Sequence, residues 1–183
     1  MNVSRSKSRR SGFTLVEVLV TLAIVAILAA VLLPSLTSQL SKGDTGRVAG
    51  DLTSIQSAAQ AYVSDVRRYP KLLADLTTAI TASSTDIDNA SIPANLLAKW
   101  KGPYLGRDVG NTAGGVISTT FSKTAGANGV NYLGVTVTAV TPAEFANVEA
   151  LFDDGVSGTS STNGLVLYNA GSSTLTFLAL AIQ

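Results

Sequence analysis

The most informative chemical group in this sequence is Glu17, a carboxylate inside an apolar run that is long enough to cross a membrane. Residues 13–33 are apolar except for two threonines and Glu17, and a transmembrane helix needs about 20 such residues. An unpaired carboxylate near the centre of a bilayer costs about 2 to 3 kcal/mol, so Glu17 requires a cationic partner. If the chain were cut between Gly12 and Phe13, the new amino group of Phe13 would lie about one helical turn from Glu17, in the same subunit or in a neighbour.

A second group of oxygen atoms lies near the C-terminal third of the chain and could hold a calcium ion. Asp153, Asp154 and Ser157 lie within six residues that also contain two glycines. Calcium takes six to eight oxygen ligands. Their spacing does not match an EF-hand loop, and the same composition is typical of a plain turn after a helix. We therefore keep calcium at these three residues as a prediction, and no other metal or cofactor is indicated.

The residues before the apolar run give the orientation of the chain in a membrane. Residues 1–12 contain four basic side chains and no acidic one, so the positive-inside rule places this leader in the cytoplasm and the rest of the chain on the far side. In a secretory signal the cut follows the apolar run and removes it. A cut after Ala29 would fit that scheme, and this alternative stays open on the residues alone.

The motif GFTLVE at residues 12–17, placed between a basic leader and an apolar helix that contains Pro34, resembles the class III signal of type IV pilins and of type II secretion pseudopilins. The resemblance covers residues 11–37. It implies cleavage after Gly12 by an inner-membrane prepilin peptidase and N-methylation of Phe13. It also implies that Phe13, Glu17 and Pro34 serve assembly, on an inner-membrane platform, into a helical filament of copies or related pilins. Known filaments of this kind serve adhesion, twitching motility, DNA uptake or protein secretion.

Composition does not indicate DNA as a partner, although DNA binding stays possible, and it does not indicate catalysis. Four of the 13 basic residues lie in the leader, so the chain from Phe13 onward carries nine basic and 12 acidic residues, a net charge of −3. Such a charge gives no broad footprint for DNA. The sequence contains no cysteine and no histidine, which removes disulfides, the usual general base and the common zinc ligands. Nothing in the sequence indicates an enzyme.

The fold class predicted from the residue pattern is α+β, with one long N-terminal helix packed by an antiparallel sheet. We divide the chain into the leader 1–12, a helix over 13–66 whose part 13–33 is membrane or filament core, and a globular head over 67–183. Six apolar residues follow one another at spacings of 4, 3, 4, 3 and 4, which places them on one helical face: Val48, Leu52, Ile55, Ala59, Tyr62 and Val66. Pro34 is expected to kink the helix without ending it.

The head is predicted to contain short helices and three or four strands. Helical patterns cover residues 72–80, 92–97 and 142–152, the last with Thr141 as its cap. Strand patterns cover residues 116–121, 130–140, 165–168 and 174–182, and a loop is expected at 123–129. Aromatic packing is expected to hold a turn at residues 100–105.

Three functional hypotheses follow. The first is a structural filament subunit, made as a single-pass inner-membrane precursor with an extracytoplasmic head and then built into a cell-surface or periplasmic filament. The second is a membrane-anchored extracytoplasmic binding module that keeps its leader and does not polymerise. The third is a secreted enzyme released after Ala29, which lacks a catalytic constellation.

Overall fold

The computed structural model describes residues 12–106, 109, 111–112, 115–153 and 164–183 of the 183-residue chain. The chain divides into two compact units, Met1–Leu40 and Ser41–Gln183. The longest element, α1, spans Leu15–Val66. Its backbone is helical through Pro34, so the prediction that the helix continues beyond this proline is confirmed.

The part of α1 in the second unit supplies one wall of the hydrophobic core. All six residues of the predicted face are buried, none more than 2% exposed. They pack with buried side chains of the sheet, among them Leu175 and Phe177. Burial of a side chain of this size contributes about 1.5 to 3 kcal/mol relative to leaving it in water. Asp51, which the pattern placed away from the core, is also buried.

α1 ends where the sequence predicted. Arg67 adopts a left-handed backbone conformation (φ 60°), and its N–H donates to the Val63 carbonyl at 2.9 Å. A left-handed residue directly after the last helical one turns the chain away from the helix axis. Pro70 then prevents the helix from resuming.

The described residues of the second unit form one antiparallel sheet of six strands and three further helical segments. The helical segments are a 3-10 helix at Leu73–Leu76, α2 at Ala94–Leu97 and α3 at Pro142–Phe152. The strands are β1 (Asn111–Thr112), β2 (Gly115–Ile117), β3 (Ser122–Ala125), β4 (Asn131–Thr138), β5 (Val166–Asn169) and β6 (Thr174–Ala181). Their order is β1-β2-β4-β6-β5, and β3 also pairs with β4.

The helix at Pro142–Phe152 has the predicted bounds and the predicted cap. Thr141 Oγ1 accepts the N–H of Glu144 at 3.3 Å, and Glu144 Oε2 accepts the N–H of Thr141 at 2.8 Å. This reciprocal pair satisfies two backbone donors at the helix start.

The sheet has more strands than the three or four predicted, and three local predictions are wrong. The pattern over 116–121 forms a strand only to Ile117, while part of the predicted loop 123–129 is strand β3. Thr124 lies opposite Tyr132 of β4, so pairing with a long neighbour imposes an extended conformation that the local sequence did not indicate. The predicted helix over 72–80 is a single 3-10 turn, whose start is held by the Asp75 carboxylate through the N–H groups of Lys71 and Leu72.

The predicted aromatic packing at residues 100–105 is present, and it holds this segment against α1. The Tyr104 ring meets Trp100 edge-on at 5.7 Å and Tyr62 at 5.8 Å between centroids. The Tyr104 hydroxyl donates to Asp65 of α1 at 3.1 Å. The Trp100 indole N–H donates to the backbone carbonyl of Asp75 at 2.9 Å, which joins this segment to the 3-10 helix.

Asp75 is expected to make the stability of the head depend on pH. It is 6% exposed, and burial raises the pKa of its carboxyl above the usual range, although N–H bonds from Leu72 and Lys71 lower it in part. The folded state therefore binds a proton more readily than the unfolded state. This contribution to stability is fully present below the unfolded pKa of about 3.9 and is lost as pH rises through the folded pKa.

Asp75→Asn should remove this pH dependence, because the amide oxygen can still accept both N–H bonds while carrying no charge. The measurement is urea unfolding of the full chain in detergent, followed by Trp100 fluorescence between pH 4 and pH 7. We expect the variant to gain stability relative to the wild type as pH rises. Asp88→Asn, which removes an exposed carboxylate paired with Lys123 at 2.7 Å, is the control for the loss of one charge. A constant difference between Asp75→Asn and wild type across this range would contradict the prediction.

Candidate processing and assembly segment

The bond between Gly12 and Phe13 lies outside regular structure and is open to solvent. Residues 12–14 precede the first helical residue, Leu15, and the Phe13 side chain is 84% exposed. A Cβ atom added to Gly12 would meet no other atom within 4 Å. A non-helical, uncrowded peptide bond of this kind is accessible to a protease.

Thr14 caps α1 and thereby fixes the place of Glu17. The Glu17 N–H donates to Thr14 Oγ1 at 3.2 Å and to the Thr14 carbonyl at 3.1 Å. Ser, Thr, Asp and Asn are the side chains preferred at this position because their oxygens accept unpaired N–H groups of the first turn. The cap was missed at the level of sequence, although Thr14 and Glu17 have the spacing of a capping box.

Glu17 is the acidic residue of the first turn of α1, where the helix dipole favours negative charge. Its side chain is exposed, and residues 13–33 contain no basic residue. Any cation that pairs with Glu17 within this segment must therefore be a new amino terminus or belong to another molecule. The pairing with the Phe13 amine stays a prediction.

The side chains around Glu17 form an apolar surface that no other described residue of the chain buries. Leu15–Leu32 has a mean hydropathy of 2.9, and none of it is buried within the chain. Side chains facing every direction remain open, such as Leu15, Leu22 and Val31 at 78%, 63% and 70% exposure. The segment is long and apolar enough to cross a membrane.

The remaining predicted site residues are placed only in part. The backbone of Pro34 lies within α1, and a kink there stays a prediction. Both carboxylate oxygens of Asp153 accept the Leu165 N–H, at 2.8 and 3.0 Å, and Oδ2 also accepts the Val166 N–H at 3.0 Å. Asp153 thus holds the start of β5 against the end of α3.

The predicted calcium site includes two residues, Asp154 and Ser157, that lie outside the described part of the chain, so calcium stays a prediction. Within the described part, no three acidic, histidine or cysteine side chains come together as metal ligands.

Comparison with known proteins gives one family model and several curated relatives. The family model described as the prokaryotic N-terminal methylation motif matches residues 7–33. Type II secretion system core protein G of Pectobacterium carotovorum subsp. carotovorum is 31% identical over 91 residues, which are 50% of this chain and 58% of that protein. The same protein of Aeromonas hydrophila is 39% identical over 64 residues, 35% of this chain and 45% of that protein.

A pilin gives a shorter match. The type IV major alpha-pilin of Moraxella bovis is 42% identical over 52 residues, 28% of this chain and 33% of that protein. The chain spans about half the length, or less, of these curated relatives. No solved structure matches it significantly. The chain therefore carries the prepilin-type methylation motif and is similar to type II secretion core protein G and to type IV pilins.

Proposed function

From the methylation motif and the geometry around it, we propose that this chain is a structural subunit, a pilin or pseudopilin, of a type IV filament. The observation that carries the proposal is the position of Glu17. It is the one charged residue of the exposed apolar segment 13–33, and it lies one turn after an accessible Gly12–Phe13 bond. A simple membrane anchor does not need a carboxylate within its apolar segment, where an unpaired charge costs free energy.

The proposed maturation begins in the inner membrane. The basic leader stays in the cytoplasm, residues 13–33 span the bilayer and the head lies outside the cytoplasm. A prepilin peptidase removes residues 1–12, and the amino group of Phe13 is methylated. A methylated amine keeps its positive charge, so processing creates a cation next to the sole anion of the segment.

The proposed assembly uses the apolar surface of Leu15–Leu32 as filament core. On an inner-membrane assembly platform, the helix leaves lipid for contact with the helices of other subunits. Glu17 then pairs with the Phe13 amine of a neighbour. A subunit added in the wrong axial position would leave both charges unpaired away from water, which costs several kcal/mol. The pair therefore sets the register of each added subunit.

Site-specific photo-crosslinking in cells tests this proposal for a pilus and a pseudopilus alike. A photoreactive residue at Leu22, which is 63% exposed, should give a ladder of adducts with further copies or related pilins. The same substitution in cells without prepilin peptidase is the control and should give no ladder. A Leu22 probe that yields only lipid adducts in the wild-type cell would instead indicate a membrane-anchored binding module.

A further inference from the structure

The C-terminal strand β6 has a strand neighbour along its whole length on one side only. On that side it pairs with β4 from Thr174 to Ala181. On the other side β5 covers β6 from Thr174 to Phe177, and one further bond joins the Leu178 N–H to the Leu165 carbonyl at 2.8 Å. No strand among the described residues lies beside β6 past Leu178. An open strand edge is a template for pairing with another chain.

The sequence of this strand makes an open edge hazardous. Residues 174–182 contain no charged residue, no proline and no glycine. Uncharged segments of high β-propensity without proline are those that form intermolecular β-structure. The usual protection by an edge lysine or proline is missing from this strand.

Two side chains occupy the positions that an added strand would take. The Ile182 N–H donates to the backbone carbonyl of Asn131 in β4 at 2.7 Å. Because backbone groups alternate in direction along a strand, the N–H and C=O groups of Ala181 and Gln183 point to the open edge. The Tyr69 hydroxyl donates to the Ala181 carbonyl at 3.0 Å and accepts the Gln183 N–H at 3.1 Å. One hydroxyl therefore satisfies both an acceptor and a donor of the edge.

Gln56 binds the next carbonyl on this side of β6, that of the buried residue Ala179. The pairing register shifts between Leu133, opposite Leu180, and Gly134, opposite Leu178, so Ala179 is a bulge residue without a partner on β4. Its carbonyl accepts the Gln56 Nε2–H at 2.7 Å. Gln56 projects from α1, and Tyr69 is fixed by a bond from the Ile87 N–H to the Tyr69 carbonyl at 3.1 Å. Both groups are held in place by other parts of the fold.

We propose that Gln56 and Tyr69 form an edge guard that prevents the C-terminal half of β6 from pairing with a strand of a second copy of this chain. The guard does not rest on the proposed function. Where many copies of this chain lie in one membrane, the edge guard prevents them from associating through their sheets. Self-association then uses the apolar helix.

The test compares the full chain in excess detergent micelles with the variants Tyr69→Phe, Gln56→Leu and the double variant. Light scattering gives the mass of the complex as a function of protein concentration, and thioflavin T reports intermolecular β-structure. We expect the double variant to grow with concentration and to raise the dye signal several-fold, and the single variants to show smaller changes. Tyr168→Phe is the matched control, because its hydroxyl donates to the Val140 carbonyl at the same 3.0 Å away from this edge, and it should behave as the wild type.

A second change shows whether association uses this edge. Adding Ala181→Lys to the double variant places a charge on the open edge and should restore the wild-type mass. The proposal is overturned if the double variant keeps its native Trp100 fluorescence and stays monomeric at all concentrations. It is equally overturned if the association persists with Lys at position 181, since the contact then lies elsewhere.

Discussion

Replacing Glu17 with alanine should abolish filament assembly while leaving the removal of the leader intact. The change leaves the Phe13 amine of the neighbour without its anion in a water-poor contact, and removing one partner of a buried ion pair costs about 3 to 5 kcal/mol. A cost of about 3 kcal/mol lowers the association constant of each subunit by more than about 100-fold. Processing should continue because the Gly12–Phe13 bond precedes the helix and is exposed.

The readout is the crosslink ladder from position 22, together with the mass of the mature chain. Thr21→Val is the matched control: Thr21 lies one turn after Glu17, and its hydroxyl bonds to the Val18 carbonyl of its own helix at 2.9 Å. It should assemble normally. A full ladder from Glu17→Ala would show that the charge pair does not set the register.

Replacing Gly12 with valine should leave nearly all of the protein as uncleaved precursor. A Cβ atom added at this position meets no described atom within 4 Å, and the position precedes the helix, so we expect the fold to be undisturbed. Any loss of cleavage therefore reflects recognition of the glycine by the peptidase. The retained leader keeps four basic residues on the cytoplasmic side, and no filament should form.

Immunoblotting of the two chain lengths measures this effect. Gly43→Val is the control, because Gly43 also has no atom within 4 Å of the added Cβ but lies far along the chain from the bond. The control should be cleaved at the wild-type rate. Efficient cleavage of the Gly12 variant would mean that the glycine is not a determinant of processing.

The sequence predicted the elements whose signals are local. The buried face of α1 follows from the spacing of six apolar residues, and the bounds of α3 follow from Thr141, Pro142 and Glu144. These features depend on residues three or four positions apart. The prediction of a site at Gly12, Phe13 and Glu17 also rests on local residues, because all three lie within one short motif.

Features made by distant contacts could not be read in this way. Strand β3 exists because β4 lies beside it, and the 3-10 helix is joined to Trp100 through the Asp75 carbonyl, 25 residues away in the chain. The edge guard joins Gln56 to Ala179, 123 residues apart, and Tyr69 to Ala181, 112 residues apart. Pairs of residues this far apart leave no periodic pattern in the sequence from which the contact could be predicted.

The most direct test of the account is the intact mass and N-terminal sequence of the protein extracted from its native membrane. We predict a chain that begins at Phe13 and carries one additional methyl group. A chain that begins at Met1 would be a simple membrane anchor, and one that begins near Ala30 would be a secreted domain. Either of these two results would contradict the proposal that this chain is a filament subunit.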